Sequence, residues 1–261
     1  MKIKVLGCYG GVDPKHNPVT LLIDDKYLLD AGTIVKEIDI EKQKNIESIC
    51  ITHCHLDHIK DLCFLSDNLI LTGNPQGPIK VYGIEPVLNM LKKYIMNNKI
   101  WPDFFEIKGS KGNNILKLVP VEMGKKYTFG DNLFIEAVKT CHSCDSSGFI
   151  IEKKGIQIVY TGDTGPCPSL WNRLNKLKHL KAVFIEISFP NKLNDLAKIT
   201  GHLTTELFLS EIKQLKNFEK IKFYIFHIKP HFLRVIKKEV KSLKLDNVYI
   251  LKDGDVIEID E

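Results

Sequence analysis

At 261 residues the chain has room for one large domain or two modest ones, and it is long enough to bury most of the surface its unfolded form would expose. With 44% hydrophobic and 26% charged residues it has the composition of an ordinary globular protein, which argues against disordered and fibrous classes. The net charge of +5 comes from lysines scattered along the chain, which permits nucleic-acid binding without favouring it, and no apolar run is long enough to span a bilayer, so no membrane partner is expected.

Residues 1–6 are too short and too alternating for a secretory signal and predict a first strand over 2–6. A glycine loop (Gly7, Gly10, Gly11) leads to strands over 19–23 and 27–30, with Asp24-Asp25 as the hairpin turn between them. Asp39 is placed to cap a short helix before a strand over 47–52. Apolar residues at Ile59, Leu62, Cys63 and Leu65 give residues 56–66 a helical spacing. Residues 74–78 form a loop, 80–82 a strand and 86–97 an amphipathic helix with Val87, Met90, Leu91 and Ile95 on one face. A second series of strands follows at 116–119, 133–138, 148–152 and 157–161. Helices over 169–178, 204–215 and 232–243 alternate with short strands over 182–186, 222–226 and 248–251. Two successive strand-rich halves, each with helices, fit two mixed sheets packed face to face with the helices outside.

Thr52-His53-Cys54-His55-Leu56-Asp57-His58 follows the apolar run 49–51 and brings three imidazoles and a carboxylate into six consecutive residues. Histidine beside a carboxylate suits a divalent transition-metal ion. In an extended segment His53, His55 and Asp57 share a face, His58 turns toward a neighbouring position and Cys54 points to the core. Three more ligand-type residues stand where strands end: His142, Asp163 between Gly162 and Gly165, and His227. Delivery from several strand ends into one crevice is what a rigid, preorganised site requires.

In this order, His53-x-His55-x-Asp57-His58, then His142, Asp163 and His227, the chain resembles the metallo-β-lactamase superfamily of binuclear metallohydrolases over residues 50–230. The resemblance implies one metallo-β-lactamase-like domain over 1–261, an α+β, four-layer αββα sandwich of two similar strand-rich halves. It implies two divalent ions, zinc foremost with manganese or iron as alternatives. His53, His55 and His142 would hold one ion, Asp57, His58 and His227 the other, and Asp163 would bridge them. Two ions about 3.5–4 Å apart acidify a shared water near neutral pH. The flavodiiron relatives place a glutamate in the first motif; Asp57-His58 here favours hydrolysis over electron transfer.

Ser188-Phe189-Pro190-Asn191-x-Leu193-x-Asp195-Leu196-Ala197, Gly201-His202-Leu203-Thr204 and His227-Ile228-Lys229-Pro230, with Ser66 downstream of the first motif, resemble the class II cyclic-nucleotide phosphodiesterases. That family's first signature has a small residue where Asp61 stands and Ala or Pro where Asp67 stands; both departures bear on substrate identity rather than on the metal centre. His202 also resembles the proton-donating histidine of the tRNase Z branch. It precedes a helix that Thr204 can cap, so the imidazole is fixed near a helix N-terminus, which binds phosphate and lowers the pKa of the ring until phosphate offsets the effect. The implied reaction is hydrolysis of a small-molecule phosphodiester, a 3′,5′-cyclic nucleotide, to the 5′-nucleotide. A metal-bridging hydroxide attacks phosphorus, and Asp57 and His202 are the catalytic side chains, His202 protonating the departing alkoxide.

The alternatives are a tRNase Z-like or other RNA-directed phosphodiesterase, for which no inserted arm is evident, and a thioester or lactam hydrolase, against which residues 201–204 argue. A non-catalytic, metal-stabilised binding module is disfavoured by the complete ligand set. A homodimer is a candidate assembly. The seven cysteines, odd in number and irregular in spacing, predict reduced thiols and a cytoplasmic setting, with Cys141 and Cys144 as packing or loop residues. The glycine loop is expected to shape the rim of the metal crevice. Glu186 is a candidate hydrogen-bond partner for a ligand imidazole. Trp101, Phe104 and Phe105 are candidates for base stacking or for core, and the basic helix over 229–244 is expected to be a solvated amphipathic face.

Overall fold

The computed structural model describes residues 1–72, 75, 77–110 and 112–260; Asn74 and Gln76 of the expected 74–78 loop lie outside them. Strands β1 (Lys2–Gly7), β2 (Thr20–Ile23) and β3 (Tyr27–Leu29) form an antiparallel meander. Asp24 and Asp25 turn it with φ of 50° and 60°, the left-handed pair that matches the twist of a hairpin. Helix α1 (Ile40–Gln43), β4 (Ser48–Cys50), α2 (Leu56–Thr72), β5 (Ile79–Gly83), α3 (Glu85–Met90) and β6 (Leu116–Pro120) follow, the three strands adding in parallel to β3. Then come β7 (Lys126–Gly130), β8 (Leu133–Lys139), β9 (Ser147–Lys153), β10 (Ile156–Tyr160), α4 (Pro168–Leu174), β11 (Leu180–Glu186), α5 (Asn194–Thr200), α6 (Thr205–Ile212), β12 (Lys222–Phe226), α7 (Leu233–Ser242), β13 (Val248–Ile250) and β14 (Val256–Glu258). Among the described residues the strands make two sheets of seven, ordered β14-β1-β2-β3-β4-β5-β6 and β13-β12-β11-β10-β9-β8-β7.

The two sheets bury one apolar layer between them, with Ile3, Leu21 and Leu29 facing Ile135, Phe149, Ile158 and Phe184. A second layer lies under α2 and α3, where Ile59, Leu62, Leu65 and Leu69 meet Ile49 and Val81. A third lies under α4, α6 and α7, where Trp171, Phe208 and Ile236 meet Val183, Phe223 and Ile225. The result is a four-layer αββα sandwich. Strands β2, β3 and β4 are buried at every position and β12 at its last four, as a sheet covered on both sides demands.

Several local expectations change. The strand expected at 116–119 belongs to the first sheet, paired with β5, so the second sheet begins only at β7. Asp39 stands at the start of α1 without a side-chain capping bond. The helix expected over 86–97 begins at Glu85 and widens after Met90 into a π-turn over Leu91–Ile95. Cys141 and Cys167 form a disulfide, where free thiols were expected; the partners lie 26 residues apart, a separation that a spacing motif does not reveal. Cys8, Cys50, Cys54, Cys63 and Cys144 are free. No helix among the described residues is long and apolar enough to cross a membrane.

Candidate metal centre

The first motif does not run extended throughout. Backbone is irregular from Ile51 to His55, and α2 begins at Leu56, with the His58 N–H donating to His55 O at 2.9 Å. Asp57 and His58 therefore sit on the first helical turn, where a carboxylate is favoured by the helix N-terminus. His53 and His55 reach the crevice from the strand side.

His142 follows β8, and Asp163 follows β10 on a turn where Gly162 takes φ 59° and passes so close to Thr52 that a Cβ would lie 2.7 Å from its side chain. Gly201 (φ 68°) backs onto His142 in the same way, and its carbonyl accepts the His142 Nδ1–H at 2.9 Å, leaving Nε2 for the crevice. His227 ends β12 with φ 62°, a left-handed conformation that side chains other than glycine rarely adopt and that clusters at functional sites.

Two donor groups result. One atom each from His53, His55, His142 and Asp163 lie within 4.8 Å of one another, and so do atoms from Asp57, His58 and His227. Asp163 stands between them: its Oδ2 is 3.7 Å from His53 Nε2, 3.9 Å from His142 Nε2 and 3.2 Å from His227 Nε2, and its Oδ1 is 3.4 Å from His58 Nε2. Asp163, His202 and His227 make a third, overlapping group.

His53 Nε2, His58 Nε2 and Asp163 Oδ1 are buried without a hydrogen-bond partner. Three such atoms converging on one crevice would each cost about 1–3 kcal/mol if nothing bound them. The donor set, imidazole nitrogens and carboxylate oxygens, fits a divalent ion.

The electrostatics agree. Burial, reinforced by the neighbouring His58, holds His53 well below the usual imidazole range, as a ligand that must offer a lone pair requires. Burial opposes charge on His58 too, yet Asp163 and Asp30 hold it well above that range. The crevice draws positive charge. Burial alone would raise the Asp57 carboxyl, but the adjacent His227 and His58 imidazoles hold it far below the usual carboxylate range.

Asp30 was not singled out from the sequence. Fully buried, it accepts the Thr52 N–H at 2.8 Å, the His58 Nδ1–H at 2.7 Å and the Tyr160 hydroxyl at 2.6 Å, so one carboxylate aims His58 and ties β10 to the strand carrying the motif. Its only sequence signal is an acid closing the all-apolar strand Leu28-Leu29. Glu186, also fully buried, accepts the His202 Nδ1–H at 2.6 Å and the Thr164 N–H at 3.1 Å. This carboxylate overrides burial and raises the His202 pKa, the reverse of the lowering expected from the helix end. Thr204 does cap α6, accepting the Leu207 N–H at 3.3 Å.

Gly10 of the glycine loop packs against the His227 ring. Phe104 and Phe105 lie in the core beneath α2 and α3, and Trp101 packs edge-on against Phe64, so none of the three lines the crevice. Asp61 and Ser66 also turn away: Asp61 accepts the Ile34 and Val35 N–H groups, and Ser66 bonds back to Leu62 O. Asp61 is thus engaged with the backbone of Ile34 and Val35.

A probable 3′,5′-cyclic-nucleotide phosphodiesterase of Yersinia pestis is 27% identical to this chain, over 88% of it and 79% of the relative. A ribonuclease Z of Borrelia garinii is 24% identical over 97% and 95% of the two chains. The fold matches that of the metallo-β-lactamase fold protein YhfI from Bacillus subtilis with a TM-score of 0.74 and 19% identity, covering 98% of each chain. The family model for class-II cAMP phosphodiesterases matches residues 25–250, nearly the whole sandwich and all of the crevice side chains described above, and the chain belongs to that family of metal-dependent hydrolases.

Proposed function

We propose that the chain hydrolyses 3′,5′-cyclic nucleotides to 5′-nucleotides at a pair of divalent ions, one held by His53, His55 and His142, the other by Asp57, His58 and His227, with Asp163 shared. The observation that carries this reading is the pairing of two donor groups about one buried carboxylate with a Glu186-bound histidine at their edge. When bound, divalent ions would supply charge against the phosphate oxygens and lower the pKa of a bound water. His202 supplies the proton. Its Nδ1–H is committed to Glu186, so Nε2 is the atom left to protonate the departing 3′ oxygen, and the carboxylate, overriding burial, raises the His202 pKa and so favours the protonated ring. The same hydrogen bond argues against His202 as a metal ligand, although it falls within the third donor group. Asp57 Oδ2, 3.2 Å from His227 Nε2, offers a carboxylate oxygen that can orient the attacking water.

The ribonuclease Z relatives, aligned along almost the full chain, favour an RNA phosphodiester as the second reading. Turnover of cyclic AMP, cyclic GMP, bis(p-nitrophenyl) phosphate and a tRNA precursor separates the two, with metal content measured on the same sample. Efficient cyclic-nucleotide hydrolysis is expected, with about two ions per chain. His202→Ala should keep the metal and lose a factor of about 10²–10⁴ in rate. Cleavage confined to the tRNA precursor would overturn the substrate, and loss of metal in His202→Ala would overturn the donor role.

A further inference from the structure

Ser188 lies wholly buried between the proposed proton donor and a proposed metal ligand. Its Oγ is 2.6 Å from Glu186 Oε2, 2.7 Å from His227 Nδ1 and 3.2 Å from His202 Nδ1. A hydroxyl has one proton to give. The carboxylate can only accept, and Glu186 Oε2 is the shortest contact, so the Ser188 O–H donates there and its oxygen accepts the His227 Nδ1–H. That order of bonds fixes the His227 tautomer: the proton stays on Nδ1 and the lone pair on Nε2, which faces Asp57 Oδ2 and Asp163 Oδ2 at 3.2 Å each. Meanwhile Glu186 Oε1 holds the His202 Nδ1–H. One carboxylate thus sets two imidazoles, one directly and one through a hydroxyl.

We propose, on the ligand assignment given above, that Ser188 is a positioning residue that carries the hydrogen-bonding demand of Glu186 to His227 and so sets the affinity of the ion held by Asp57, His58 and His227. The backbone adds a reason for a dedicated support. His227 sits at φ 62°, and in that conformation its N–H bonds Cys8 O at 2.7 Å while the ring is held through Nδ1 by Ser188. Without the hydroxyl, either nitrogen of the ring is free to carry the proton. A fraction of the molecules then present an N–H to the crevice in place of a lone pair. Groups that orient a ligand imidazole in this way are typically worth about 10–100-fold in metal affinity.

The test is a Zn(II) titration of the metal-stripped protein against a chromophoric chelator, with no substrate present. Ser188→Thr keeps the hydroxyl, and Ser188→Val has the same shape without it. Wild type and Ser188→Thr should bind two equivalents alike, while Ser188→Val should bind one equivalent normally and the other about 10–100-fold more weakly. Ser188→Ala should behave as Ser188→Val and serves if the larger side chains do not fold. Equal affinities in Thr and Val, whether both native or both weakened, would overturn the role of the hydroxyl. Two equivalents with this dependence on Ser188, in a protein that ignores cyclic nucleotides, would sink the substrate assignment and leave Ser188 in place. Fewer than two equivalents in the wild type would overturn the ligand assignment and this inference together.

Discussion

Glu186 and His202 meet at the rim of the crevice in a 2.6 Å contact, and both are buried. A carboxylate there favours the imidazolium; a carboxamide would not. Burial, which lowers the pKa of His202, would then be opposed by the more distant Asp163 alone. A general acid works only while protonated, so the alkaline limb of kcat against pH should move to lower pH in Glu186→Gln. The rate at acid pH should be closer to wild type than the rate at neutral pH. An unmoved alkaline limb would mean that another group gives the proton. At this scale the sequence was most legible where residue type alone restricts chemistry. His53, His55, Asp57, His58, His142, Asp163 and His227 could be brought together on paper because imidazoles and carboxylates at strand ends have few other uses. Asp30 was invisible for the opposite reason: its partners, His58 and Tyr160, are 28 and 130 residues away, and a lone acid at the end of a strand is common.

Helix α2 shows how an element can be read correctly in kind and wrongly in detail. Its apolar spacing marked a helix, but the helix continues to Thr72, and its first turn takes Asp57 and His58 out of the extended motif. Asp61 ties the start of α2 to the loop before α1. Its Oδ2 accepts the Ile34 N–H at 2.6 Å and the Val35 N–H at 3.0 Å, and its Oδ1 takes the Lys60 ammonium at 2.6 Å. Asp61→Ala leaves the Ile34 N–H buried without a partner and weakens the Val35 N–H, a loss of about 2 kcal/mol or more. Urea unfolding should show a lower midpoint with an unchanged slope, and kcat at a temperature where the variant is folded should stay near wild type, since Asp61 touches nothing in the crevice. A large fall in kcat in the folded variant would mean that α2 had moved its ligands. Elements with no apolar stripe escaped the sequence reading altogether. In α5 only Ala197 is buried, while Leu196 and Ile199 face out, so no periodicity announced it. Strand β14 buries Ile257 alone.

The crevice is assembled from both halves of the sandwich. His53, His55, Asp57 and His58 come from the end of β4 and the start of α2 on the first sheet; His142, Asp163 and His227 come from the ends of β8, β10 and β12 on the second. Three of the donor atoms are buried without partners, and the imidazoles crowd one another, with ring centroids of His53 and His58 4.2 Å apart. Ions bound there would join the two sheets and satisfy those atoms at once, so they would bind the folded chain far better than the unfolded one. Linkage turns that difference into stability: at free metal about a thousand times the dissociation constant, one site adds about 4 kcal/mol. Stripping the metal with a chelator should therefore lower the melting temperature, and adding Zn(II) or Mn(II) back should restore it in a concentration-dependent way. Asp163→Ala removes the proposed shared ligand, so the gap between metal-loaded and stripped melting temperatures should shrink sharply in that variant. A wild-type protein that melts identically with and without chelator, after confirmed loss of metal, would show that the sheets are held by their apolar layer alone and that the crevice contributes nothing to joining them.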